Sequence, residues 1–327
     1  MLRSLQTWWW VVVGTCTLLL RGHYVSACQP GEYSSTNNVC IACDIGKFSN
    51  TSSATSCMTC AAGKHAQLTG STVCGEKRLW GTTAVASIED YTANANFGVS
   101  ADMSDNYAIV GAHGAKKAFI FARNASTDTW GTTAVATLTG CATCTDFGYS
   151  VSISDNYAIV GTYRGKQAFI YARDASSGAW GTTAVAPLTS YTAEGGFGVS
   201  VAMTDNYAIV GAYTAGIAGT AGKAFIFGRD GSTWDTTAKV TITSSAGSNF
   251  GRGVAITDSY AIVGAGSNAC SACKAFIYAR DASGTWSTTA VASIDGPSGS
   301  GFGVSVSVTD RFVIVGAHSG NKAFVYA

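Results

Sequence analysis

Residues 197–212 read FGVSVAMTDNYAIVGA, and residues 223–229 continue with KAFIFGR. Three runs rich in Val, Ile, Ala and aromatics are bounded here by turn residues, the pattern of short strands. The first two runs are joined by Asp205-Asn206 alone, and Asp and Asn tolerate the left-handed backbone of a tight hairpin. The same wording recurs along the chain. Phe-Gly stands at Phe97-Gly98, Phe147-Gly148, Phe197-Gly198, Phe250-Gly251 and Phe302-Gly303, at spacings of 50, 50, 53 and 52 residues. The two-residue turn recurs as Asp105-Asn106, Asp155-Asn156, Asp258-Ser259 and Asp310-Arg311. A period of this size marks a repeat architecture.

Each unit contains four strand candidates, which in the second unit are Phe147–Ile153, Tyr157–Gly161, Ala168–Ala172 and Thr182–Leu188. Four-stranded units at this period read as the blades of an all-β propeller. A loop ending in Trp130, Trp180, Trp234 or Trp286 follows the third strand, and Trp80 holds the same phase before the first copy. A Trp at constant phase reads as packing between blades. The repeat region opens with an orphan fourth strand, Thr82–Ile88, and its last unit stops at a third strand, Lys322–Ala327. The expectation is a five-bladed propeller of four-stranded blades, with Thr82–Ile88 completing the fifth blade and removing the exposed sheet edges. The alternative is a chain whose remaining blades are missing.

The units over residues 77–327 resemble the FG-GAP repeat of the integrin alpha-subunit propeller and of many secreted microbial proteins. Phe97-Gly98 with Val110-Gly111-Ala112, Phe197-Gly198 with Val210-Gly211-Ala212 and their counterparts carry the likeness. Integrin-type repeats often hold a D-x-D-x-D-G calcium loop between the first two strands. Here that connection is a two-residue turn with one carboxylate, and calcium needs six or more oxygens. No metal or other cofactor is expected.

The N-terminal region differs. Trp8 to Leu20 is an apolar run, short for a membrane span, followed by Val25-Ser26-Ala27. Residues 1–27 read as a secretory signal peptide, the rival being an uncleaved anchor. Residues 28–74 hold three copies of one cysteine-bounded unit: CQPGEYSSTNNVC, CDIGKFSNTSSATSC and CAAGKHAQLTGSTVC. Loops this short cannot bury enough apolar surface to fold without a covalent staple. They resemble the cysteine-rich repeats of ephrin and tumour-necrosis-factor receptors, which implies the pairs Cys28–Cys40, Cys43–Cys57 and Cys60–Cys74. The C-x-x-C spacings admit zinc in principle, but an oxidising compartment favours disulfides. The domain reading is then a cysteine-rich module at 28–74, a linker at 75–81 and the propeller at 82–327. Asn50 and Asn124 open glycosylation sequons.

A formal net charge of +1 with 12% charged residues gives no reason to expect nucleic acid or an acidic membrane surface as partner. There is no H-E-x-x-H, G-x-S-x-G or P-loop, so no catalytic residue is assigned and the chain is not read as an enzyme. Function falls to the loops joining the fourth strand to the next blade and the second strand to the third, which share one face. Tyr91, Tyr163, Arg164, Tyr191 and Tyr213 lie in them, and Tyr and Arg are enriched where proteins bind partners. Two C-x-x-C pairs, Cys141/Cys144 and Cys270/Cys273, are expected to be local disulfides that stiffen these loops. Lys117, Lys223, Lys274 and Lys322 take matching positions, as do His113 and His318. The reading is a secreted or cell-surface-associated binding or adhesion protein for an extracellular protein or glycan. The alternatives are a propeller hydrolase or lyase acting on extracellular polymers and a structural coat component. Oligomeric state is left open.

Overall fold

The computed structural model describes residues 28–30, 32–34, 39–44, 47–52, 54–60, 64–65, 72, 75–76, 82–89, 95–140, 144–189, 195–213, 222–244, 249–267 and 273–327. The signal-peptide reading of residues 1–27 lies outside them. No helix among the described residues is long and apolar enough to cross a membrane. Backbone contacts divide the chain into two units, Met1–Thr83 and Ala84–Ala327.

The first unit consists of small two-stranded sheets held by disulfides. Glu32–Ser34 pairs with Cys40–Ala42, Lys47–Phe48 with Met58–Thr59, and Lys64–His65 with Gly75–Glu76, all antiparallel. Cys28 is joined to Cys40 and Cys43 to Cys57. Cys60 is also disulfide-bonded, while Cys74 lies outside the described residues. Among the described residues, Cys28, Glu32 and Cys40 form a cluster of metal-ligating types, but its two sulfurs are tied in the disulfide.

The second unit is a succession of five antiparallel sheets, each opening on a Phe-Gly unit. The second and fourth have four strands in sequence order, for example Phe147–Ile153, Tyr157–Thr162, Gln167–Ala172 and Ala186–Leu188, and the first and third add a two-residue strand, Thr129–Trp130 and Thr233–Trp234, that pairs with the end of the third strand. In the second sheet Thr182 and Thr183 bend before the fourth strand starts, so it is shorter than the expected Thr182–Leu188. The only helical turn among the described residues is a 3-10 segment, His318–Gly320.

The Phe-Gly pair has a physical purpose. In four of the five sheets the first-strand register shifts between Phe and the third or fourth residue after it, a bulge on the first strand. Gly takes φ near +88° at all five sites, a conformation that side chains disfavour. At Gly148 a Cβ would also collide with the Lys117 carbonyl of the preceding sheet. The Phe beside it is fully buried in sheets two to five and packs on the aromatic of its own third strand, as Phe147 does on Phe169 at 5.8 Å. Burial of each such ring contributes roughly 2–3 kcal/mol.

Successive sheets are locked by repeated contacts. The second-strand Gly of one sheet lies under the Phe-Gly glycine of the next, so Gly111 faces Gly148, Gly161 faces Gly198, Gly211 faces Gly251 and Gly264 faces Gly303. From the second sheet onward, each hairpin carboxylate accepts from the hairpin before it. Ser104 Oγ and Asn106 Nδ2 donate to Asp155 at 2.5 and 2.9 Å, Asn156 donates to Asp205 at 2.7 Å, and Thr204 and Asn206 donate to Asp258 at 2.6 and 2.8 Å. Thr257 donates to Asp310 at 2.8 Å. The loop Trp meets the hairpin Tyr of the preceding sheet edge-on: Tyr107 with Trp180, Tyr157 with Trp234 and Tyr207 with Trp286. An Arg lies over each of those Tyr rings, Arg173, Arg229 and Arg280 in turn.

The expected closure is not in place. Residues 82–89 form no strand, Val85 is 88% exposed, and the fifth sheet has three strands, Phe302–Val308, Val313–Ala317 and Lys322–Tyr326. Among the described residues, no strand of the fifth sheet packs extensively on one of the first. The segment has strand-like composition, but a strand also needs a reachable edge to pair with.

Candidate ligand-binding face

Three consecutive sheets place a side chain at one register position, directly after the second-strand Val-Gly-Ala/Thr. These are His113, Tyr163 and Tyr213. Each is half-buried. The turn that carries Tyr163 is fixed from within. Buried Thr162 donates through Oγ1 to the Gln167 carbonyl and accepts the Gln167 N–H, both at 3.0 Å, and Lys166 takes φ of 52°. Tyr213 is accommodated by Gly196, where any Cβ would run into the Tyr213 backbone and ring.

The position immediately after Phe-Gly is Val99, Tyr149, Val199, Arg252 and Val304 in the five sheets. Its two departures from Val meet the first set. Tyr149 lies between His113, at 5.6 Å, and Tyr163, at 5.2 Å. Tyr163 and Tyr213 are stacked at 5.8 Å with an interplanar angle of 21°, and their hydroxyls are hydrogen-bonded at 2.8 Å. The Arg252 guanidinium lies 5.7 Å from the centre of the Tyr213 ring. His113, Tyr149, Tyr163, Tyr213 and Arg252 thus form a continuous ladder across four sheets. Asn96 and His113 approach to 3.1 Å at one end. Arg164, largely exposed, is paired with Asp146 at 3.4 Å beside the ladder.

Partial burial and the Tyr163 hydroxyl push the Tyr213 phenol up to about 12, from 10.0. Tyr213 therefore keeps a neutral hydroxyl throughout the physiological pH range. The ladder offers flat ring faces, a rank of hydroxyls and one stacked cation. Such rings supply contact area with few rotors to freeze on binding.

Of the tyrosines singled out in the sequence, the structure brings Tyr163 and Tyr213 together, while Tyr91 and Tyr191 lie outside the described residues. Tyr149 and Arg252 were not anticipated, because each sits within or beside a strand. Aligning the five repeats exposes them as substitutions at an otherwise Val position. Cys144 and Cys273 are disulfide-bonded; Cys141 and Cys270 lie outside the described residues. The matching lysines do not act as a set, since Lys274 is bound to the Asp295 carboxylate of the neighbouring strand. Asn50 and Asn124 are exposed.

The FG-GAP repeat family matches residues 191–227. No curated protein matches the chain. Among solved structures it is similar to the Dos1 propeller, at 10% identity and a TM-score of 0.45, covering 67% of this chain and 52% of that one. A functionally unknown protein from Desulfotomaculum acetoxidans DSM 771 aligns at 12% identity and a TM-score of 0.46, over 68% of this chain and 63% of that one. The periplasmic gluconolactonase PpgL of Pseudomonas aeruginosa aligns at 12% identity and a TM-score of 0.43, over 66% and 64%. The chain thus spans about half to two thirds of the length of these structures. It carries an FG-GAP repeat within a series of five antiparallel sheets of three to five strands, together with a disulfide-rich module in its N-terminal region.

Proposed function

We propose that this chain is a secreted or cell-surface-associated binding protein whose five sheets act as five propeller blades, and that it recognises an extracellular protein or glycan. The ladder His113–Tyr149–Tyr163–Tyr213–Arg252 carries the reading. It gathers Tyr and Arg, the residue types that dominate binding hot spots, on the face that holds the variable loops. Its rings are ordered by their own stacking and by the Thr162 turn, so little freedom is lost when a ligand docks. The described hairpin carboxylates Asp155, Asp205, Asp258 and Asp310 accept hydrogen bonds between sheets, which fits a scaffold role for them. The disulfides fit an oxidising compartment, and the reading includes N-glycans at Asn50 and Asn124.

The test is a glycan and cell-surface protein binding screen with the full chain, repeated with Tyr163→Ala and Tyr213→Ala. Loss of a ladder ring is expected to weaken binding by about tenfold or more, about 1.4 kcal/mol or above. Val185→Ala, exposed and remote from the ladder in sequence, serves as control. Binding that survives both ladder substitutions, or polymer cleavage without retained binding, overturns the proposal.

A further inference from the structure

Tyr163 and Tyr213 touch through their hydroxyls as well as their ring faces. They follow the second strands of neighbouring sheets, 50 residues apart in the chain. The rings stack at 5.8 Å with an interplanar angle of 21°, and the two hydroxyl oxygens lie 2.8 Å apart. Near-parallel phenols that meet at their oxygens also bring together the ring carbons beside those oxygens. Among the described residues no other two tyrosines share a hydroxyl contact. Tyr149 approaches Tyr163 at 5.2 Å but is tilted by 38°. Tyr107, Tyr157 and Tyr207 each meet a Trp edge-on instead. Tyr171 is buried and gives its hydroxyl proton to the Thr139 carbonyl at 2.9 Å.

The alignment is held from both sides. Tyr163 stands on the turn that Thr162 fixes. Tyr213 lies against Gly196 and carries the Arg252 guanidinium at 5.7 Å from its ring centre. Both tyrosines are half-buried, not sealed, so a small oxidant reaches them. A phenol that loses an electron and a proton becomes a phenoxyl radical, with its unpaired spin shared by the two ring carbons beside the oxygen. Holding two such rings together turns a chance encounter into an intramolecular step.

We propose that Tyr163 and Tyr213 are a cross-linking site, joined carbon to carbon as dityrosine by a one-electron oxidant of the haem-peroxidase class supplied with hydrogen peroxide. Each phenol gives up one hydrogen atom, and the two together reduce one hydrogen peroxide to two waters. The radicals form one bond between ring carbons adjacent to the oxygens. The hydrogen on each of those carbons then moves to its own oxygen, which restores both phenols. The product has lost two hydrogen atoms and keeps both hydroxyls. It ties the second sheet to the third covalently, at a junction whose links from Asn156 to Asp205 and from Tyr157 to Trp234 are noncovalent. The proposal involves no ligand and stands whether or not the ladder binds one.

The test treats the dilute full chain with a haem peroxidase and an equimolar amount of hydrogen peroxide, followed by peptide mass mapping and fluorescence. A peptide pair joined through Tyr163 and Tyr213 is expected, lighter than its parts by two hydrogen atoms and carrying dityrosine fluorescence. Tyr163→Phe and Tyr213→Phe are each expected to abolish that cross-link, whereas Tyr149→Phe retains it. Phe keeps the ring, and an unchanged far-UV dichroism spectrum confirms folding. Unfolding the chain in urea before oxidation is expected to lower the yield of this pair by about tenfold or more, because only the fold aligns the rings. Once oxidised, the wild type is expected to unfold at higher urea, since the cross-link constrains the unfolded chain. Cross-links that fall on other tyrosines, or that form equally in folded and unfolded chain, overturn the proposal. So does a chain left unlinked under conditions that couple free tyrosine.

Discussion

Gly148 and Gly178 both hold left-handed backbone, at φ of 89° and 72°, but their surroundings differ. At Gly178 the nearest atom to a would-be Cβ is Arg173 Nη1 at 3.5 Å, an ordinary contact. At Gly148 the Cβ would strike the Lys117 carbonyl of the neighbouring sheet. Gly178→Ala is therefore expected to cost about 1 kcal/mol, the conformational term alone. Gly148→Ala is expected to cost roughly 3 kcal/mol or more, because two backbones must separate. Urea unfolding midpoints measure both, and equal losses would mean that the glycine is kept only for its φ. Tyrosine supplies a second residue-scale prediction. Burial raises Tyr278 to about 12 and moves Tyr171 further in the same direction, while Tyr213 rises to about 12 through burial and the Tyr163 hydroxyl. Below the ordinary phenol value of 10.0 both folded and unfolded states hold these protons, and stability is unaffected. Above it the unfolded chain ionises first and binds fewer protons, so stability falls as pH rises toward about 12. Thermal melts across that range are expected to show a steep alkaline decline, and Tyr213→Phe should make it shallower.

At the scale of the element, the unit of stability is the junction between sheets. Trp234 is buried and edge-on to Tyr157, with Arg229 5.3 Å from the centre of the same Tyr ring. Trp234→Ala removes a large buried ring and is expected to cost about 3–5 kcal/mol. Arg229→Met keeps the stem but loses the cation and the bond from Arg229 Nε to the Asp205 carbonyl. It is expected to cost about 1–2 kcal/mol. Denaturant titration ranks the two, and the reverse order would relocate the junction's strength to its polar rim. Much of this element was legible in the sequence, because the strands and the two-residue hairpins that join them are set by neighbours within one sheet. The constant phase of Trp180, Trp234 and Trp286 also pointed to packing between blades. Their Tyr partners did not declare themselves, since Tyr107 and Trp180 meet across 73 residues of chain and only the stacking of sheets brings them together. Tyr149 was missed for a related reason. Within its own strand it reads as one more β-former, and its purpose depends on His113 and Tyr163 from two different turns.

For the whole molecule, the closing strand marks the limit of sequence reading. Thr82–Ile88 has the composition of the fourth strands, but pairing depends on where an edge lies in space, which composition does not encode. The observed stack is quasi-one-dimensional, each sheet packing on the next. In such arrays stability is a sum of unit and nearest-neighbour terms, and units with one neighbour open more easily than units with two. Hydrogen exchange in dilute solution is therefore expected to be slowest in the second strands of the middle sheets, at Ile159, Ile209 and Ile262. It should be faster around Ile314 in the fifth sheet and along Phe97–Met103 in the first. Protection that is uniform across the five sheets at low concentration would contradict the nearest-neighbour stack itself.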